Sequence, residues 1–244
     1  MNPINFLRRL NIMHDTALAL GSLFFQAYAR SSCTVVELGS MEVNGSLRTG
    51  CPPVARYIGL DVMSGPGVDI VVEPNARLPI ATDFADLVVA SSVFEHDLFF
   101  WETFLELIRI TKPGGAIYIN APSNGRYHRH PADNWRFYPD SGKALEAWAK
   151  RNDITVTLVE SFITERRGDA WNDFVAVFVK GDVPESNVCF LSEKFACTNV
   201  WRHDQIEPTR VREKSEDMVI IGRLRSRARR WRRLWLFKRS SSYS

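Results

Sequence analysis

Several things are missing from this 244-residue chain, and each absence removes a class of protein. Its four cysteines, Cys33, Cys51, Cys189 and Cys197, form no C-x-x-C pair, which excludes a zinc ribbon and a dense disulfide framework and leaves reduced thiols. No apolar run reaches the ~18 residues of a membrane-spanning helix. No G-x-G-x-x-G set is present, so the dinucleotide fingerprint is absent. There is no internal repeat, and no low-complexity segment precedes the tail. Acidic residues are absent from 218–244, which holds nine Lys and Arg. The remaining body carries 22 basic against 28 acidic residues, so the overall +3 hides a mildly acidic body and a strongly basic tail. That argues against a nucleic-acid groove on the body, where binding would rest on phosphate neutralisation.

What remains is an ordinary globular composition, 45% hydrophobic and 24% charged, long enough for one core with some length left over. Near the start, Arg8 and Arg9 precede an apolar run, Ala17 to Phe25, and then Ala27-Tyr28-Ala29. Two readings stand: a signal-peptide lookalike, or an amphipathic helix covering a sheet. Asn11, His14 and Asp15 interrupt the path from charge to apolar run and favour the helix.

The chain is organised around Thr34 to Arg48. Three β-branched residues lead into Glu37-Leu38-Gly39, and a polar turn from Ser40 ends at Gly45 and Ser46. A buried strand stopping at a glycine-bearing loop is how open α/β sheets build a ligand crevice at their carboxyl edge. A plain turn explains the same residues, so the loop alone does not decide.

Further on, Tyr57–Asp61, Val68–Val72, Asp86–Ser91 and Ala116–Asn120 read as strands. Glu95-His96-Asp97 is expected to open an amphipathic helix with Phe100, Phe104, Leu107 and Ile108 on one face. Pro113-Gly114-Gly115 would stop that helix. Ser141–Arg151 reads as another helix, and Thr155–Ser161 with Phe174–Lys180 as a closing hairpin. Strands alternating with crossovers imply a mostly parallel sheet. The polar, aromatic loop from Ala121 to Pro139 is too long for an ordinary connection.

In this order the pieces resemble the class I S-adenosylmethionine-dependent methyltransferases over roughly residues 34 to 180. Glu37-Leu38-Gly39 with Gly45 resembles that family's first motif, though the middle glycine is replaced by Ser40 to Asn44. Asp61 stands where the family places an acid on the ribose hydroxyls. Asn75-Ala76 stands where it places an adenine contact, Leu87–Ser91 with Glu95-His96 as its fourth-strand motif, and Lys112–Gly115 as the turn before strand five. The resemblance implies a Rossmann-like α/β fold, seven strands closed by an antiparallel hairpin, to which the residues after 217 add a basic C-terminal helical extension. It implies S-adenosylmethionine as cofactor, held by Glu37, Gly39, Ser40, Gly45, Asp61, Asn75, Ala76 and Ser91. The expected division is a methyltransferase domain over 1–183, a linker over 184–217 and a basic tail over 218–244. The Asn/Asp-Pro-Pro-aromatic signature of adenine-methylating DNA enzymes is absent after strand four, where Ser91-Ser92-Val93-Phe94 stands.

Transfer to a hydroxyl needs an in-line acceptor and a base, for which histidine has the right range. The candidates are His96, at the lip of strand four, and His128, His130 and Asp133 in the loop after strand five. That loop, Arg126 to Tyr138, carries four aromatic rings beside Asp, Asn and Arg, a set suited to a sugar, or equally a loop pinned to the core by Trp135 and Tyr138. Its Asp-Asn-Trp-Arg-Phe-Tyr-Pro string resembles a segment of methyltransferases associated with bacterial surface-glycan synthesis. No metal ligand is assigned, because Glu95, His96 and Asp97 cannot aim at one point on a regular helix.

In the tail, Ile221, Leu224, Ala228, Trp231 and Trp235 recur at helical spacing among arginines. Such a helix suits an anionic membrane surface, with RNA or a protein partner as rivals. The expectation is a cytosolic O-methyltransferase, peripheral on the inner face of the membrane, acting on a sugar hydroxyl of a polysaccharide or glycolipid precursor. A small-molecule methyltransferase and a non-catalytic recruited scaffold are the alternatives.

Overall fold

A computed structural model describes residues 15–43, 45–54, 56–129, 131–167, 170–183 and 188–240. The chain divides into two units, Met1–Arg210 and Val211–Ser244.

The first unit is built on β1 (Thr34–Leu38), β2 (Arg56–Asp61), β3 (Ile70–Val71), β4 (Ala85–Ser91), β5 (Thr111–Pro122), β6 (Val156–Thr164), β7 (Asp173–Lys180) and β8 (Cys197–Arg202). Its helices are α1 (Asp15–Tyr28), the single turn α2 (Leu47–Gly50), α3 (Phe100–Ile110) and α4 (Ser141–Arg151). The strands form one sheet in the order β3-β2-β1-β4-β5-β7-β6-β8. From β3 to β5 all neighbours are parallel, while β7, β6 and β8 join antiparallel.

Eight strands correct the expected seven. The extra one, β8, comes from the stretch expected to be linker, and its irregular register against β6 and its polar Thr198 and Asn199 gave no alternating signal. Val200 and Thr209 exchange backbone hydrogen bonds of 2.8 Å, which ties the chain to the sheet as far as Arg210. The boundary therefore falls after Arg210, not at 183. At the other margin, β3 is only two residues long, shorter than the expected Val68–Val72.

Burial of both faces explains the near-continuous apolar runs. Val36, Leu38, Val88, Ala90, Ile117, Ile119, Ala176 and Phe178 face one side, where Phe104, Leu107 and Ile108 of α3 cover them. Val35, Leu87, Val89, Tyr118, Val175 and Val177 face the other, under Leu20, Phe24 and Phe25 of α1. Phe24 packs at a tilt 5.0 Å from Tyr118, and Phe104 lies 4.8 Å from Phe178. The apolar run near the start is thus a helix packed on the sheet.

Helix α3 begins at Phe100, five residues later than expected. Residues 94–96 form a turn instead, entered through Ser92, whose φ of 55° is rare outside glycine. Asp97 accepts hydrogen bonds from the Phe99 N–H and the Thr103 hydroxyl, which braces the turn leading into α3. Because the strands from β1 to β5 run parallel, the loops after β1, β2, β4 and β5 share one edge of the sheet, its carboxyl rim.

The second unit contains α5 (Glu216–Ser240), whose residues Met218, Ile221, Leu224 and Trp231 are exposed. No helix among the described residues is long and apolar enough to cross a membrane.

Candidate active site

At the end of β1, Glu37 is buried and accepts a 2.8 Å hydrogen bond from the Tyr57 hydroxyl. Burial pushes its carboxyl up to about 7, against the pull of that hydrogen bond and of Arg48. The next turn depends on Gly39. Its φ is +78°, and a Cβ there would stand 2.2 Å from Val93 Cγ2, so only glycine fits. Asp61, at the end of β2, accepts from Met41 N–H at 3.0 Å through Oδ2 and from Met63 N–H at 3.1 Å through Oδ1. It braces two loops, and each oxygen retains a second lone pair for a hydroxyl donor. Asn75 adopts φ 56° in an exposed turn with Ala76. Gly45 ends the loop at φ 131°.

Three buried side-chain oxygens along this rim, Ser40 Oγ, Ser91 Oγ and Glu95 Oε2, have no hydrogen-bond partner among the described residues. Orphaned polar atoms in a native fold call for a partner. Ser40 and Ser91, beside a turn that admits no Cβ, are a donor set fitted to a polar nucleoside.

The acceptor candidates meet across the next two loops. The segment after β5 folds back on the turn at 94–97: Asn134 N–H donates to Glu95 O at 2.7 Å, and Trp135 Nε1 donates to Asp97 O at 2.8 Å. His96 and His128, 32 positions apart, come edge to face with ring centroids 5.1 Å apart. His96 Nδ1 lies 2.5 Å from Ala132 O, so that nitrogen carries a proton and donates it to the carbonyl. His96 Nε2 faces Glu95 Oε1 at 3.6 Å. His128 Nδ1 lies 3.4 Å from Asp133 Oδ2. Two Arg136 hydrogen bonds, one of 2.8 Å to Oδ2, and one from the His128 N–H hold the Asp133 carboxyl down at about 2. Asp133 is therefore held as an anion between Arg136 and the His128 backbone.

Of the expected catalytic set, the structure gathers His96, His128 and Asp133, while His130 lies outside the described residues. The loop's anchor is Phe137, which is buried, stacks 5.7 Å from Phe174 and donates its N–H to Pro122 O at 3.0 Å. Tyr138, expected to share that role, is exposed, and Trp135 is partly so. Glu95 was missed as a site residue. It is 2% exposed, and burial pushes its carboxyl up to about 8. A carboxylate between an apolar strand and a histidine was the available signal. Glu95, His96 and His128 also bring one ligand atom each within 4.8 Å of one another, a grouping that the expectation of no metal ligand did not foresee. The regular-helix argument failed because no helix runs there, and because the third member comes from another loop.

Residues 47–119 match the family model described as methyltransferase domain. No curated protein sequence matches the chain. Among solved structures, the chain is similar to 1,6-didemethyltoxoflavin-N1-methyltransferase from Burkholderia thailandensis, with its substrate and S-adenosylhomocysteine bound, at 16% identity and a TM-score of 0.52, over 68% of this chain and 79% of that one. It is also similar to the [4+2]-cyclase SpnF, at 12% identity and a TM-score of 0.52, over 68% and 82%. Likeness at this level concerns the fold, and the pairing of a methyltransferase with a cyclase shows that the fold does not by itself set the reaction. The domain match supplies what the fold leaves open: the chain carries a methyltransferase domain of the S-adenosylmethionine-dependent kind.

Proposed function

We propose that the chain is an O-methyltransferase acting on a sugar hydroxyl of a surface polysaccharide or glycolipid precursor. The observation that carries this reading is the meeting of His96 and His128 at 5.1 Å on the carboxyl rim, beside exposed aromatic rings.

S-adenosylmethionine, when bound, supplies a methyl group on a sulfonium, already activated for transfer. The chain's own residues then have three tasks. Ser40, Ser91 and Asp61 hold the donor's polar atoms. The second task is positioning: Tyr127, Trp135 and Tyr138 offer ring faces to the C–H patches of a sugar, while Asp133 and Arg136 fix the loop bearing His128. Placement alone supplies much of such a rate. Last comes the proton. The acceptor hydroxyl gives it to an imidazole Nε2, on His96 or His128, since both Nδ1 atoms are turned to protein oxygens. A positioned base of this kind adds roughly two to four powers of ten.

A cavity of about 290 Å³, lined by Phe100, Trp101, Leu145 and Trp148, adjoins this site through the contact of Trp101 with Trp135 at 5.9 Å. It favours an acceptor with an apolar portion. A glycolipid has one, and so does a small aromatic metabolite, such as the substrate named for the Burkholderia thailandensis enzyme, which is the second reading. A panel of lipid-linked sugars and small aromatic hydroxyl compounds, with labelled donor, separates the two. Labelling only of the aromatic compounds removes the glycan reading.

Membrane docking through α5 belongs to the same proposal, because a basic helix with Trp231 and apolar neighbours binds anionic headgroups. Flotation of the full chain and a 1–217 truncation with anionic liposomes tests it, and equal partitioning refutes it.

A further inference from the structure

We propose that Glu95, His96 and His128 form a binding site for one divalent transition-metal cation of the zinc or cobalt type. The inference goes beyond the acceptor reading, since it concerns binding and not the identity of the methylated group.

Two imidazole nitrogens and one carboxylate are the donor set of open metal sites, which keep a further position for a ligand. The ligand atoms already lie within 4.8 Å of one another. Tetrahedral bonds of the usual 2.0–2.2 Å need neighbouring ligand atoms about 3.4 Å apart. His96 Nε2 and Glu95 Oε1 stand at 3.6 Å. Most of the remaining closure falls to His128, which sits on a loop rather than on the sheet.

Two further observations point to a cation rather than to a packed polar cluster. Glu95 is 2% exposed, yet among the described residues its Oε2 has no partner, and a buried polar atom of this kind calls for one. Finally, both histidines carry the outer contacts typical of metal-bound imidazoles: Ala132 O behind His96 Nδ1, and the Asp133 carboxylate behind His128 Nδ1. Metal-ligating histidines turn their second nitrogen to a backbone carbonyl or a carboxylate in this way. Asp97, the acid a sequence motif would have nominated, is occupied by the Phe99 N–H and the Thr103 hydroxyl.

A loaded ion would change the histidines' part in the reaction. Their lone pairs would lie on the metal, and an acceptor hydroxyl bound at the open position would be acidified by the ion and release its proton to solvent water.

The test is a Co²⁺ titration of chelator-treated, untagged full-length protein, followed by visible absorption, with Zn²⁺ as competitor. The expected result is one equivalent bound, with d–d bands that Zn²⁺ abolishes and millimolar Mg²⁺ does not. His128→Ala and Glu95→Gln should each weaken binding at least tenfold. Circular dichroism and thermal unfolding check that each variant is folded, and His128→Gln serves if the alanine variant is not. No saturable band, or identical titrations in the folded variants, overturns the proposal. Because the readout needs neither donor nor acceptor, a failed acceptor panel leaves this result standing, and a failed titration leaves the acceptor reading standing.

Discussion

Replacing Glu37 with glutamine should make the protein less sensitive to alkali. In the folded chain, burial raises the Glu37 carboxyl from an ordinary 4.5 to about 7. Between those two values the folded state holds a proton that the unfolded state has released, so stability falls as pH rises through the window. Above about pH 7 the carboxylate is charged in both states, and the cost of burying it is fully present. One pKa unit is worth about 1.4 kcal/mol, so the total is roughly 3 kcal/mol. Below about pH 4.5 the contribution vanishes, because the group is neutral in both states. Glutamine keeps the shape and can still accept the Tyr57 hydroxyl, but it is neutral throughout. Urea unfolding of wild type and Glu37→Gln at pH 5 and pH 8.5 isolates the effect from the other titrating groups, which both proteins share. The variant should match wild type within about 1 kcal/mol at pH 5 and exceed it by 2–3 kcal/mol at pH 8.5. An unchanged difference between the two pH values would show that the Glu37 side chain is solvated or paired in a way the fold does not display.

Gly39→Ala should lower stability by about 2 kcal/mol or more, since it adds a left-handed alanine and a clash with Val93. Adding Val93→Ala should recover only the clash, as read from thermal unfolding; full recovery would mean the turn can take another φ. Asp61→Asn should weaken donor binding by roughly 1.5–3 kcal/mol in calorimetry, the scale of a charged hydrogen bond, and unchanged affinity removes the ribose assignment. Asp133→Asn should slow turnover while leaving donor affinity intact, because it loosens Arg136 and His128 and touches nothing on the donor side. Phe137→Ala should cost about 3–5 kcal/mol and lower turnover with it, since that ring ties the His128 loop to the core. Retained activity in that variant would mean the loop is held by other contacts.

Much of the sheet was legible because its central strands are buried on both faces, and an unbroken run such as Asp86–Ser91 has few other uses. β8 was not, because an edge strand with Thr198, Asn199 and Arg202 needs apolar residues at only two positions, Cys197 and Val200, which are the ones buried. In the site, Gly39 and Asp61 could be found from their order along the chain, since each ends a strand on the same rim. The partnership of His96 with His128 could not. It depends on a loop folding back 32 residues later, held by the N–H groups of Asn134 and Trp135, which no local pattern encodes. Glu95 escaped notice because its chemistry comes from burial and a missing partner, and both are properties of the packed state.

The two margins of the sheet have a bearing on solubility. A bare strand end is a template on which another chain can grow a ladder. Here one margin is the two-residue β3, too brief to guide such growth. The other, β8, is capped in part by Thr209 and Arg210, which take up the backbone groups of Val200 and Asn199. Deleting the chain after Arg202 would uncover that ladder, and clumping on storage, rather than loss of fold, is the defect to look for first.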